Sequence, residues 1–271
     1  MSDLLALKRR LQNIASVHDI TDAMQIIATI TIGNAQKFLN YRRKIQSIHD
    51  RLFLTSNLNQ RKEGNSESWL IVFFSEKGFC GNFNPQILPL LNKNKNAKKI
   101  VIVGSRGKVY CERLGLTNAT YIEGAKRIPN ESISDSLFNL LKENNFPQNI
   151  TVVINKYNNM FSQVPKLISF FPEPEDVYKP LEMIKDINDE YLNKLILERY
   201  VRAKLFYFFV QNFTGETAAK LLMMKNATDS AQTLKTDITL EVSRVRQSKI
   251  TQELSEVISA YKVLQTQRER S

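Results

Sequence analysis

Proline is missing from both ends of the chain. None occurs in residues 1–58 and none follows Pro180, and glycine in those stretches is reduced to Gly33 and Gly215. Proline removes a helical hydrogen bond and clashes with the preceding turn, and an interior glycine costs about 1 kcal/mol against alanine. Their scarcity excludes a chain of short, turn-rich elements at either end and leaves room for long helices. Histidine and cysteine are as scarce, with His18, His49, Cys80 and Cys111 the full inventory and no CxxC spacing, so neither a metal site nor a Ser-His-Asp set is expected. Long apolar runs are also absent. Stretches such as Leu70–Phe74 and Leu205–Val210 fall far below the roughly 20 residues of a membrane span, and the N-terminus turns charged at Lys8-Arg9-Arg10, which predicts a cytosolic protein without a signal peptide.

Charge of one sign is in excess. The 271 residues carry a net charge of +11 with a pI near 9.6, while 42% hydrophobic and 24% charged residues are ordinary for a soluble protein. The balance suggests an acidic partner: nucleic acid, an anionic membrane surface or an acidic protein face. Basic groups such as Arg42-Arg43-Lys44, Arg244, Arg246 and Lys249 are spread along both ends without a nucleic-acid module signature, and solvated helix faces account for most of them.

The C-terminal stretch, residues 187–271, organises the rest. Leu234, Ile238, Val242, Val245, Ile250, Leu254, Val257, Tyr261 and Leu264 step by three and four, with charged residues between them. A helix of about 80 residues would rise roughly 120 Å and needs a partner of similar length for its apolar stripe. Residues 1–58 provide one, through Leu4, Leu7, Leu11, Ile14, Met24, Ile27, Thr31, Asn34, Phe38, Tyr41, Ile45, Ile48 and Leu52, with a phase shift near His18 and Asp19. The two predict an antiparallel coiled coil; a single all-helical bundle is the alternative.

The middle, residues 66–175, follows another rhythm. After a polar connection at residues 57–68, strands are predicted at Trp69–Ser75, Lys98–Gly104, Ile150–Asn155 and Val164–Phe171, with helices at Ile87–Leu91, Lys108–Leu114 and Ser132–Asn144. Alternation of this kind is that of a small α/β sheet domain, closed off by Pro172, Pro174 and Pro180. Gly104-Ser-Arg-Gly107 has the look of half a phosphate loop but lacks the third glycine of a dinucleotide fingerprint and the Gly-Lys-Ser/Thr ending of a P-loop, so a tight strand-to-helix turn is the simpler expectation. Cys80 sits between Gly78 and Gly81 with no histidine nearby, which favours a buried small residue over an activated thiolate.

Several motifs go beyond pattern. Met224-Lys-Asn-Ala-Thr-Asp-Ser-Ala231 and Arg246-Gln-Ser-Lys-Ile-Thr-Gln-Glu253 closely resemble the C-terminal signature of the F-type ATP synthase γ subunits, written there M-K-x-A-T-D-N-A and R-Q-x-x-I-T-x-E. Ser75-Glu-Lys-Gly-Phe-Cys-Gly-Asn-Phe-Asn84 and Ile20-Thr-Asp-Ala-Met24 are similar to two more of that family's stretches, so the resemblance covers essentially the whole chain. It implies a long antiparallel coiled coil of the terminal helices with an inserted Rossmann-like α/β domain. It also implies a non-catalytic central shaft that turns inside a ring of alternating α and β subunits, with an ε subunit and a membrane c ring as further partners and no cofactor or metal of its own. The expected place is the cytoplasmic face of a bacterial inner membrane, held peripherally through the complex; a basic coiled-coil protein binding nucleic acid is the competing class, and an enzyme using the α/β domain a third.

The resemblance also implies site residues. Met24 is expected close to Arg246 and Gln252, with Thr251 and Glu253 in the same turn, where the shaft meets β. The chain departs from the family at four positions usually basic, occupied here by Asp22, Thr31, Gly33 and Asn34, and near the tip, where Ser259-Ala-Tyr-Lys-Val263 replaces a run of small residues. No extra segment with a close cysteine pair is present, so a redox switch of the chloroplast kind is not expected.

Overall fold

The computed structural model describes residues 2–55, 68–116, 119–172 and 190–268. The predicted connection at residues 57–68 falls almost wholly outside them, as do Pro174, Pro180 and the expected domain limits near 58, 66, 175 and 187. Two compact units result, one of Met1–Ile26 with Met224–Ser271, the other of Ile27–Met223. Both are threaded by two long helices, α1 (Ser2–Thr55) and α5 (Glu190–Arg268).

The larger unit is built on a five-stranded sheet of order β3-β2-β1-β4-β5. β1 (Trp69–Phe73), β2 (Lys99–Val103), β3 (Ala119–Ile122) and β4 (Ile150–Asn159) run parallel, and β5 (Ser162–Ser169) returns antiparallel to β4. β1 and β2 lie inside the sheet with both faces covered, which is why they read as continuous runs of Leu, Ile and Val. Alternate residues face opposite layers. Trp69, Ile71, Phe73, Val101, Val103, Val152 and Ile154 meet α4 (Asp135–Glu143) and the Leu197–Phe209 stretch of α5, whereas Leu70, Val72, Phe74, Ile100 and Ile102 meet α2 (Leu88–Lys93) and α3 (Gly107–Arg113).

α5 therefore covers a sheet face within this unit as well as pairing with α1, and the sequence pattern predicted only the second role. The aromatic content follows from that double duty: Phe53, Phe170, Tyr200 and Phe208 form one cluster, with Phe53 and Tyr200 ring centroids 4.5 Å apart. Against α1, the buried set is Ala28, Ile32, Ala35 and Leu39, with Phe206, Val210, Ala218 and Leu221 from α5. The expected stripe through Ile27, Asn34, Tyr41 and Ile48 is out of phase, since those four are exposed. Alanine lets two helix backbones approach closely, so Ala28 and Ala35 take the contact that a count of large apolar residues gives to Ile27.

In the smaller unit, α5 buries Met224, Ala231 and Ile238, seven residues apart, then half-buries Val242, Val245 and Lys249. This is the heptad spacing of a coiled coil. Thr21 on α1 is buried, and the Thr228 hydroxyl donates to its oxygen at 3.0 Å.

Candidate functional site

That Thr21–Thr228 contact fixes the register of the smaller unit. With the helices antiparallel and level there, Met24 lies level with Lys225, and Arg246 lies level with the first residues of α1. At 1.5 Å per residue, Met24 and Arg246 are about 30 Å apart along the axis, and Gln252 about 40 Å from Met24. The expected closeness of Met24 to Arg246 and Gln252 is thus not found: antiparallel pairing settles direction, but the register lies in which residues interlock. Arg246, Thr251, Gln252 and Glu253 do share one stretch of α5, all exposed, while Met24 is half-buried on α1.

Beyond Lys249 every described side chain of α5 through Lys262 is exposed. The apolar series Ile250, Leu254, Val257, Ile258 and Tyr261 stands in solvent at 46–66% exposure, so the stripe expected to pack on α1 stops near Lys249. Local bonds satisfy the polar groups here: Thr251 donates to the Gln247 carbonyl, Gln252 to Glu256 at 3.0 Å, and Lys249 sits 3.6 Å from Glu253. A row of large apolar side chains on an otherwise polar helix marks a surface awaiting a partner.

In the larger unit the chemically dense region lies at the C-terminal ends of β1, β2 and β3, the edge where open α/β sheets commonly bind ligands. The loop after β1 carries Glu76, whose carboxylate accepts from the Ser105 N–H at 2.9 Å, the Ser105 hydroxyl at 2.6 Å and the Gly124 N–H at 2.8 Å. Glu216 on α5 in turn accepts from the N–H groups of Glu76 and Lys77 at 2.9 and 3.0 Å, and Lys220 stands 3.7 Å away. Burial pushes the Glu76 carboxyl up, but the hydrogen bonds from Ser105 and Gly124 outweigh it and hold the pKa below the ordinary value. For Glu216 burial wins, and its pKa is raised despite the Glu76 and Lys77 N–H groups and the Lys220 ammonium.

Gly104 shows why this loop must be glycine: its φ is +102°, and a Cβ there would collide with the Phe74 carbonyl. Of the N–H groups at this edge, which in a nucleotide-binding sheet face phosphate, those of Ser105 and Gly124 donate to the chain's own carboxylate and that of Arg106 to the Ser75 carbonyl. Cys80, in the same loop, is pushed to a pKa of about 12 by burial and by the Glu216 carboxylate, so its thiol is held protonated. His18 pairs with Asp19 and His49 with the Ile45 carbonyl; among the described residues no group of three His, Cys, Asp or Glu side chains could hold a metal.

Some of the basic excess is structural. Arg42 lies over the Phe206 ring at 4.4 Å and bonds Glu131, and Arg202 lies over Phe138 at 4.0 Å beside Asp135. Sequence reasoning missed Glu216, a lone acid in the run Gly215-Glu-Thr-Ala-Ala219; its signal was a charge in an otherwise apolar and small stretch, which needs partners if buried.

Comparison with known proteins gives a consistent result. The family model described as ATP synthase matches residues 3–264. The ATP synthase gamma chain of Clostridium pasteurianum is 28% identical over 278 residues, spanning 94% of this chain and 96% of its own. Among solved structures, a chain of the Euglena gracilis mitochondrial ATP synthase OSCP/F1/c-ring assembly in rotational state 3 superposes with a TM-score of 0.72 at 15% identity, covering 97% of this chain and 95% of that one. A chain of the rotor of the same Euglena enzyme in rotational state 1 gives 0.69 at 13% identity, covering 92% and 99%. Among the described residues no helix is long and apolar enough to cross a membrane.

Proposed function

The chain belongs to the ATP synthase family as a gamma chain, and on that premise we propose that it is the central rotor shaft of an F-type ATP synthase. It couples rotation of a membrane c ring to conformational change in catalytic β subunits. The chain itself does no chemistry; catalytic sites lie on β. Residues 1–58 and 187–271 form the shaft, and residues 66–175 form the inserted domain; ε and the c ring are further partners.

The observation that carries this reading is the unpartnered end of α5. Ile250 through Tyr261 presents large apolar side chains to solvent, as expected for a tip seated in an apolar sleeve of an α and β ring. Arg246, Thr251, Gln252 and Glu253 form one contact zone with β near that tip. Met24 forms a second, lower zone on the N-terminal helix. Polar and charged groups that differ from side to side let a turning shaft present a different face to each β subunit. The complex is placed on the cytoplasmic face of a bacterial inner membrane, the chain being held there peripherally.

Co-expression with cognate α and β subunits tests the reading. The chain is expected to co-purify with them and with ATPase activity. A chain ending at Lys249 is expected to retain its unfolding midpoint while ATP-driven proton pumping falls below about a tenth, since the removed residues support no fold of their own. Recovery of the chain without α and β, bound to nucleic acid in a salt-dependent manner, would overturn it.

A further inference from the structure

We propose that a cavity between α1, α5 and the β4–β5 hairpin of the larger unit binds a small protonated oxyanion of the hydrogen phosphate and phosphate monoester class. The cavity measures about 270 Å³. That is far more than the roughly 10–15 Å³ a single water needs, and less than the roughly 300 Å³ at which sites for drug-sized ligands begin. Its principal polar lining comes from Arg43, Gln46 and Asp50 on α1, Lys156 on β4, and Lys204 and Gln211 on α5. Helical geometry brings these together, since Arg43, Gln46 and Asp50 step by three and four along one face of α1, and Lys204 and Gln211 stand two turns apart on α5.

Charge is the first argument. Three cations line the cavity against one carboxylate, and Asp50 is engaged by Lys204 at 3.0 Å, by the Gln46 amide nitrogen at 2.9 Å and by the Tyr200 hydroxyl at 3.1 Å. Arg43, which also reaches the Tyr207 hydroxyl, and Lys156 are left without a carboxylate in the cavity. Burial, then the neighbouring Lys166 and Arg43, lower the Lys156 pKa, so this half-buried ammonium lies among other positive charges.

The second argument is independent of charge. The amide oxygens of Gln46 and Gln211 are buried and have no hydrogen-bond partner, although the side chains are only 5% and 2% exposed. Each amide nitrogen is committed, that of Gln46 to Asp50 and that of Gln211 to the Tyr157 carbonyl at 3.3 Å, which sets which end of each amide is left over. A buried acceptor without a donor is costly, so the cavity calls for O–H groups as well as negative charge. Hydrogen phosphate supplies both at neutral pH, and a monoester does so as its monoanion, the form present below its second pKa of about 6; sulfate supplies the charge with no O–H.

Calorimetric titration of the full-length chain at constant ionic strength tests this. Inorganic phosphate should bind saturably at one site, sulfate should bind about tenfold or more weakly, and Arg43→Gln or Lys156→Gln should each weaken phosphate by about tenfold or more. Both side chains reach solvent, and an unchanged circular dichroism spectrum would show that the variants fold. Glycerol phosphate run beside inorganic phosphate identifies the source: tighter binding of the ester points to a metabolite, tighter binding of the free ion to phosphate itself, and either supports the site. Absence of saturable binding at tens of millimolar phosphate, equal binding of sulfate, or variants that bind as the parent chain does would each overturn the proposal. None of these outcomes bears on the rotor reading.

Discussion

One helix meets two environments. Between Leu197 and Leu221, α5 is buried on nearly all sides, against the sheet on one face and α1 on another; between Thr251 and Lys262 every one of its side chains is exposed. Both stretches carry large apolar residues, and each has a glutamate and a lysine four apart in or beside it: Glu216 and Lys220 at 3.7 Å, Lys249 and Glu253 at 3.6 Å. What separates them is what surrounds them. An apolar stripe on a helix states that something must cover it, and only the rest of the structure says whether the cover is the chain's own core or another molecule.

The sharpest way to break that comparison is to remove a large apolar residue from each stretch. Phe209→Ala removes a buried ring packed edge-on against Phe73 at 5.3 Å and is expected to cost about 3–5 kcal/mol, measured by urea unfolding. Val257→Ala should move the same measurement by less than about 0.5 kcal/mol. If both cost the same, the exposed stretch is part of the chain's own core.

The two glutamates come next. Glu216→Ala strands the buried N–H of Glu76 and the partly buried N–H of Lys77 and should cost about 2–4 kcal/mol, whereas Glu253→Ala, at the surface, should cost less than about 0.5 kcal/mol. The pH dependence carries a sign. Because the Glu216 pKa is raised above 4.5 in the folded chain, its contribution is full below that value and is lost as pH rises through the folded pKa. Glu76, whose pKa is lowered, contributes above 4.5 and loses its contribution as pH falls. Unfolding curves for Glu216→Gln across the acid-to-neutral range should therefore lack the decline seen on raising pH, and an unchanged decline would contradict the burial of that carboxylate.

The smallest effect lies on α1. Gly33 sits mid-helix with nothing within 4 Å of where a Cβ would be, so Gly33→Ala should stabilise by about 0.5–1 kcal/mol through a lower entropy of the unfolded chain. A loss of stability would mean that a partner approaches the backbone there.

The long helices were legible because proline-free stretches with a three-four stripe have few other outcomes, and β1, β2 and β4 because short β-branched runs mark strands covered on both faces. β3 was missed, for Ala119–Ile122 is four residues, half-buried and weakly patterned. The phase of α1 was misjudged because burial there rests on Ala28 and Ala35, whose small size is their merit and makes them inconspicuous. Neither the Glu76–Glu216 pair nor the cavity at Arg43 and Lys156 could be read from sequence, since each joins residues more than a hundred positions apart. The terminal apolar series was read correctly as a stripe and incorrectly as an intrachain contact.

The Glu76 carboxylate has a consequence for how the chain lives among its neighbours. A gamma chain is a part of a machine named for ATP, and its sheet has the architecture that elsewhere collects phosphates. With the Ser105 and Gly124 N–H groups already answered from within, an arriving phosphate finds those two donors occupied and a negative charge in its way. The strand ends of this domain are thereby closed to phosphate by the chain's own carboxylate, and the loop that carries it is tied to α5 through Glu216.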